Sequence, residues 1–188
     1  MRLTPEAGTL CLPAENPPTP LMKPIPLPDQ LLRLCYEHGS ATYPDEGCGV
    51  LSGPIEQPEL LTGFHPLENT LGKLHAADPA KYPRTPGEGY VLDALAYVRL
   101  EKALQADGHR IKVIFHTHIE VGPYFSEEDR KRATWNGDPL FPGIFYLVCG
   151  VKNRAPDGAI LAMFDEETGD FEEHVVEKPR RRRKAPQK

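Results

Sequence analysis

The stretch IKVIFHTHIEVGPYFSEED, residues 111–129, decides how this chain is read. Ile111 to Phe115 form a continuous, β-rich apolar run, the mark of a central strand buried on both faces. His116 and His118 follow directly. If strand geometry continues through them, positions i and i+2 point to one face, so the two imidazoles stand roughly 7 Å apart and can converge on a single ion. Ser126 begins a helix and Asp129 lies in its first turn, while Gly122 and Pro123 supply a loop that can bend the carboxylate back toward the histidines. Two histidines and a carboxylate leave a fourth tetrahedral position open, which is how catalytic zinc is held. Each part also has a plainer reading. A His-x-His on a strand is a weak sign alone, and a serine followed by an acidic turn is an ordinary helix start. Their joint occurrence is what carries weight.

Upstream, Leu27, Leu31, Leu34, Cys35 and His38 recur at helical spacing, with Pro28 and Asp29 in a first turn and Gly39 as a stop, predicting a helix over 28–39. Cys48, Val50 and Leu51 form a short strand closed by Gly53-Pro54, and a second strand over 60–66 pairs with it as a hairpin. Residues 69–88 read as a long surface loop bordering a substrate groove. Tyr90 to Leu92 is a short strand, followed from Asp93 by a helix with Leu92, Leu95, Ala96, Leu100, Ala103 and Leu104 on one side and Gly108 past its end. Strands are expected over 144–151 and 160–164, separated by a turn at Asp157-Gly158, and a last one over 174–176. Helices and strands in this order predict a layered α/β domain with a mixed sheet.

The pattern of a distant glutamate, then His-x-His, seven residues and Ser-x-x-Asp resembles the JAMM motif of the MPN+ (JAB-domain) metalloprotease family. Around Glu46, the segment Glu46-Gly47-Cys48-Gly49-Val50-Leu51-Ser52-Gly53 is similar to that family's Glu-x-Cys-Gly-x-Leu-x-Gly strand. The resemblance runs from about Leu27 to Phe164 and looks bacterial; it departs at Ile119, where many members have proline, and in the 69–88 loop. It implies a single MPN-like, cytidine-deaminase-like α/β domain. It also implies Zn2+ held by His116, His118 and Asp129, Glu46 as base on the water that the metal holds, and Ser126 as a donor to the developing oxyanion. The implied activity is a peptidase or isopeptidase cutting after the Gly-Gly end of a ubiquitin-like or sulfur-carrier protein. Two other functions stay open: a non-catalytic MPN scaffold, and a JAB domain associated with DNA repair.

Composition bounds these readings. The 188 residues, 39% hydrophobic and 26% charged, describe one globular domain. We expect it over 27–177, between a Pro-rich extended arm at 1–26 and a basic tail at 178–188. The net charge of -5 argues against a general nucleic-acid binder, and the run Arg180 to Lys184 is usually a solvated tail. Cys11, Cys35, Cys48 and Cys149 form no CxxC pair, so neither a disulfide framework nor a zinc ribbon is expected. No apolar run approaches the roughly 18 residues of a membrane span, and no signal-peptide core is evident, so the cytoplasm is the default.

Two similar patterns are set aside. His118-Ile119-Glu120 resembles the His-x-Glu of zinc deaminases but lacks the later Pro-Cys-x-x-Cys. Cys48 near Glu46 suggests a thiol nucleophile, yet a strand cysteine usually behaves as a small hydrophobe. Asn69 is a weaker candidate for a hydrogen bond near the groove, and His65, His75 and His109 are read as structural or exposed.

Overall fold

Strand β3, His109–Ile119, is longer than Ile111 to Phe115 and carries both histidines. It lies inside a six-stranded mixed sheet in a computed structural model that describes residues 23–177. The arm up to Met22 and the basic tail lie outside the described residues. Ile25, placed by sequence within the arm, packs in the core.

On one side β3 pairs antiparallel with β1, Cys48–Pro54, which pairs with β2, Gly63–Leu67. On the other it pairs parallel with β6, Phe145–Lys152, followed by β7, Ala155–Asp165, and the edge strand β8, Asp170–Val176. Helix α1, Asp29–Thr42, covers one face with Leu31, Leu32, Cys35 and Tyr36 against Val113, Phe115 and Leu147. Helices α3, Ala94–Ala106, and α4, Glu127–Ala133, lie over the other face, where Ile114, Tyr146 and Val148 form a second core. This is the expected α/β domain with a mixed sheet flanked by helices.

Local chemistry explains where the elements depart from expectation. Helix α1 continues through Gly39, because glycine there makes room for Thr117, whose Cγ2 would sit 2.5 Å from an added Cβ. The 69–88 segment is not a bare loop: Leu71–Ala77 form helix α2, anchored by the buried Leu71. Tyr90 to Leu92 makes only a single bridge, Asn69 to Leu92. On α3 the packed face is Tyr97, Leu100 and Leu104, whereas Leu95 is 69% exposed. Asp93 caps that helix by accepting from the backbone N–H of Leu95 and Ala96.

The turn between β6 and β7 falls at Asn153-Arg154, both in the left-handed region at φ 50° and 61°, a two-residue hairpin of the kind that matches strand twist. Asp157-Gly158 instead forms a bulge inside β7: two residues oppose Gly150 between the pairs Cys149–Ala159 and Val151–Pro156. A second turn, Asn136-Gly137, joins the short strands β4, Thr134–Trp135, and β5, Asp138–Pro139, which the sequence reading did not mark.

Lys112 interrupts the run taken as apolar. It is the extra residue where Leu51 pairs with Val113 and Ser52 with Ile111, and its ammonium donates to the backbone carbonyls of Gln57 and Leu60. Those carbonyls hold the ammonium in an otherwise buried position.

The glycines of β1 are required by close approach. A Cβ on Gly49 would lie 2.3 Å from the His65 carbonyl oxygen and 2.7 Å from the Phe115 ring, and one on Gly53 would lie 1.9 Å from the Leu60 carbonyl oxygen. Gly49→Ala is therefore expected to destabilise the fold by about 1–3 kcal/mol through overpacking. Urea unfolding checks it: a midpoint equal to that of the parent protein contradicts the close approach of β2.

Candidate metal centre

On β3, Ile114, His116 and His118 share the face toward α3 and α4, while Val113, Phe115 and Thr117 face α1. The expected face-sharing of the two histidines is therefore present. After Ile119 the chain leaves the sheet through Glu120 (φ 66°) and Gly122 (φ 75°), left-handed positions that turn it back toward α4. Ser126 caps α4 in a reciprocal box: its Oγ accepts from the Asp129 N–H at 3.1 Å, and Asp129 Oδ2 accepts from the Ser126 N–H at 3.0 Å. The same carboxylate also accepts from the Ser126 hydroxyl. The cap thus fixes the ligand candidate Asp129 in position.

The three side chains meet. His116 Nε2 lies 3.2 Å from His118 Nε2 and 3.4 Å from Asp129 Oδ1, and His118 Nε2 lies 3.6 Å from Asp129 Oδ2. All three residues are buried, and their donor atoms lie within 4.8 Å of one another, close enough to hold a metal ion. Ligand atoms roughly 2.0–2.1 Å from a tetrahedral zinc are separated by roughly 3.4 Å, close to the spacings seen here. The nitrogen and oxygen donors also suit zinc chemically. The Nδ1 atoms of both rings are buried without a hydrogen-bond partner. With a proton on each Nδ1, both Nε2 lone pairs and the carboxylate oxygens face one point, and a cation there satisfies all of them.

Burial lowers the His116 pKa, although Asp129 pulls the other way, so burial favours the neutral ring that ligates metals. Burial alone would raise the Asp129 carboxyl, but His116, His118 and Ser126 together hold it well below the usual carboxylate range. Burial, then the Asp129 charge, pushes Glu46 up to about 9.

Glu46 borders the same small cavity as His118, Ser126 and Asp129. Its segment is tied down on both sides. The Gly47 N–H donates to Thr117 Oγ1 at 2.8 Å, and the Thr117 N–H donates to the Gly47 carbonyl at 2.9 Å, between the two histidines. The Glu46 N–H donates to the Pro86 carbonyl at 2.8 Å, and Asn69 Nδ2 donates to the Glu46 carbonyl at 3.1 Å. Asn69 also donates to Gly89 and accepts from the N–H of Leu71 and Val91, so it organises the segment covering the site.

Sequence reasoning missed Tyr90 and Tyr124. Tyr90 stacks on His116 with ring centroids 4.4 Å apart, and Tyr124 meets His118 edge-on at 4.7 Å. Only their nearness in sequence to the motif hinted at a role. The residues set aside stay aside. Glu120 accepts from the Tyr43 hydroxyl and the Asn153 N–H, and burial pushes the Cys48 thiol up to about 12. His65 meets Ser52, His75 the Tyr82 carbonyl and His109 the Asp107 carbonyl.

Residues 28–162 match the model of a family described as prokaryotic homologues of the JAB domain. The chain belongs to that family. No curated protein matches it. Among solved structures, this JAB domain is similar to a protein from Desulfitobacterium hafniense at 19% identity, covering 77% of this chain and 86% of that one, with a TM-score of 0.54. It is also similar to a protein from Salinibacter ruber at 24% identity, covering 86% of this chain and 94% of that one, with a TM-score of 0.51. At these identities the likeness is one of fold. Among the described residues, no helix is long and apolar enough to cross a membrane.

Removing one donor leaves two, too few for tight zinc binding. His116→Ala is expected to lower zinc affinity at least about 100-fold while the fold persists. Competition with a zinc-responsive chelator measures this, and an unchanged affinity removes His116 from the ligand set.

Proposed function

We propose that this JAB domain is a zinc-dependent peptidase or isopeptidase that cuts after the Gly-Gly end of a ubiquitin-like or sulfur-carrier protein. The observation carrying the proposal is convergence: His116, His118 and Asp129 meet at one point, and a buried glutamate borders the cavity beside them. When bound there, zinc supplies a Lewis acid and lowers the pKa of a coordinated water toward about 7.

The chain's own residues supply the rest. His116 and His118 present ring nitrogens, and Asp129 lowers the net charge of the centre. With a cation's charge offsetting the burial and the Asp129 charge that otherwise keep it neutral, Glu46 ionises, takes a proton at its carboxylate from the attacking water and returns it to the leaving amine; its backbone anchors at Thr117, Pro86 and Asn69 hold it for both transfers. The Ser126 hydroxyl borders the cavity and, on turning from Asp129, donates to the scissile carbonyl oxygen as charge develops there. The cavity at the centre is about 20 Å³, room for roughly one water. So small a cavity favours an extended tail without side chains, which is what two glycines provide.

A protein-sized substrate is supported by the neighbouring surface. A groove of about 560 Å³ runs beside Asp129, lined by Tyr97, Val98, Leu140, Phe141 and Tyr146. Val98, Leu140 and Phe141 in its lining are exposed, a contiguous apolar surface of the kind that marks protein contacts.

Glu46→Gln keeps the shape and removes the proton carrier. Zinc content is expected to stay at one per chain while cleavage of a carrier protein extended beyond Gly-Gly slows at least about 100-fold. Metal analysis and mass spectrometry of the product check both halves. Full activity in that variant contradicts the role of Glu46, and an inactive parent protein with zinc bound favours a scaffold instead.

A further inference from the structure

Arg84, an exposed residue, borders the same cavity as Glu46, Ser126 and Asp129. It is carried on a stiff turn, Pro83-Arg84-Thr85-Pro86-Gly87-Glu88. Two prolines restrict the backbone there. Thr85 donates to the Glu88 carboxylate through its N–H at 3.0 Å and its hydroxyl at 2.7 Å, and the Glu88 N–H donates back to the Thr85 carbonyl. The turn is pressed onto the Glu46 segment: Pro86 accepts from the Glu46 N–H, and a Cβ on Gly87 would lie 2.9 Å from the Pro44 carbonyl oxygen.

Apart from the Glu46 carboxyl, the other charges lining this cavity are already engaged. Arg132 donates to Glu128 Oε1 at 2.8 Å and to the Tyr90 carbonyl at 2.9 Å. Glu88 is taken by Thr85, and Asp129 by the histidines and Ser126. Arg84 is different. Its Nη1 donates to the Glu88 carbonyl at 3.3 Å, and among the described residues it makes no ion pair. A guanidinium has five N–H donors in a planar fork suited to a carboxylate. Among the described residues the remaining donors of this exposed guanidinium have no protein partner, and it borders the cavity that Glu46 and Asp129 line.

We infer that Arg84 binds a carboxylate on the residue leaving from the scissile bond, either the free α-carboxylate of a chain end or an acidic side chain. The inference rests on the hydrolase reading and narrows it. A cut next to a carboxylate trims a residue or a short acidic piece from a carrier protein, whereas an amine leaving from a lysine of a folded conjugate brings no such charge.

The test uses the zinc-loaded full chain and three peptides: Ala-Ala-Gly-Gly-Ala with a free carboxylate, the same peptide as its C-terminal amide, and Ala-Ala-Gly-Gly-Asp as its amide. Cleavage is followed by mass, and binding of the same peptides to zinc-loaded Glu46→Gln is followed by calorimetry. At least one carboxylate peptide is expected to exceed the neutral amide about tenfold or more in kcat/KM, mainly through KM. Preference for the first over the third identifies a chain end, and the reverse identifies an acidic side chain. Arg84→Gln should bring all three within about twofold, while Arg84→Lys, which keeps the charge without the fork, should retain part of the preference. Equal cleavage of all three by the parent protein, or discrimination that survives Arg84→Gln, overturns the inference and leaves the hydrolase standing. If nothing is cleaved but carboxylate peptides bind in an Arg84-dependent way, the carboxylate site stands and the hydrolase falls. Neither cleavage nor selective binding overturns both.

Discussion

The alternation of side chains along the end of β3 is the constraint on which the rest of the molecule depends. Phe115 and Thr117 point toward α1, while His116 and His118 point toward α3 and α4. A shift of one residue would bury the imidazoles under α1 and expose the packing residues to the site. Several contacts forbid that shift. Thr117 fits against Gly39 of α1 and exchanges two hydrogen bonds with Gly47. The β-bulge at Lys112, tied through its ammonium to the Gln57 and Leu60 carbonyls, fixes the phase farther back. One strand thus holds the core with one set of residues and presents the site with the other.

The centre gathers groups that a globular domain rarely buries together. Two imidazoles, an aspartate and a glutamate are withdrawn from water at the junction of β1, β3 and α4. Hydrogen bonds relieve part of the cost: Asp129 accepts two bonds from Ser126, through its backbone and its hydroxyl. The ring nitrogens at Nδ1 receive no such relief, and the rings are set by contact with Tyr90 and Tyr124 instead. A His116 ring that burial favours as neutral, an Asp129 carboxylate held ionised, and a glutamate that burial and Asp129 drive toward its neutral form are surroundings that a cation among the three donor groups would stabilise.

The meeting of His116, His118 and Asp129 was legible in the sequence because its parts are local. His116 and His118 lie on one strand, and Ser126 and Asp129 lie within one helical turn, so periodicity and capping rules place each pair. The fold class followed from the order of elements for the same reason. What was not legible depended on distant partners. Gly39 looks like a helix stop until Thr117 is seen packing against it. Asp157-Gly158 carries a turn signature yet forms a bulge, because Asn153-Arg154 closes the hairpin first. Leu95 fits a helical stripe by spacing, but the sheet meets the face of Tyr97, Leu100 and Leu104. Tyr90 has no periodic signature, since it sits where an extended segment passes over His116.

That extended segment explains how so small a domain holds the buried Glu46 steady. Glu46 precedes β1 and lies outside the sheet ladder, where a chain end would ordinarily fray. Thr117 holds the following residue from the β3 side, and Asn69 with Pro86 holds Glu46 from the covering segment. Asn69 makes both ends of that segment one unit, because its single amide reaches Glu46, Gly89, Leu71 and Val91. The carboxyl is therefore fixed by backbone contacts on two sides, and its own oxygens need not be spent on holding it in place. A carboxyl whose position is secured through its main chain keeps both oxygens free for other partners, which is the physical reason the 69–92 segment belongs to the candidate site as much as His116, His118 and Asp129 do.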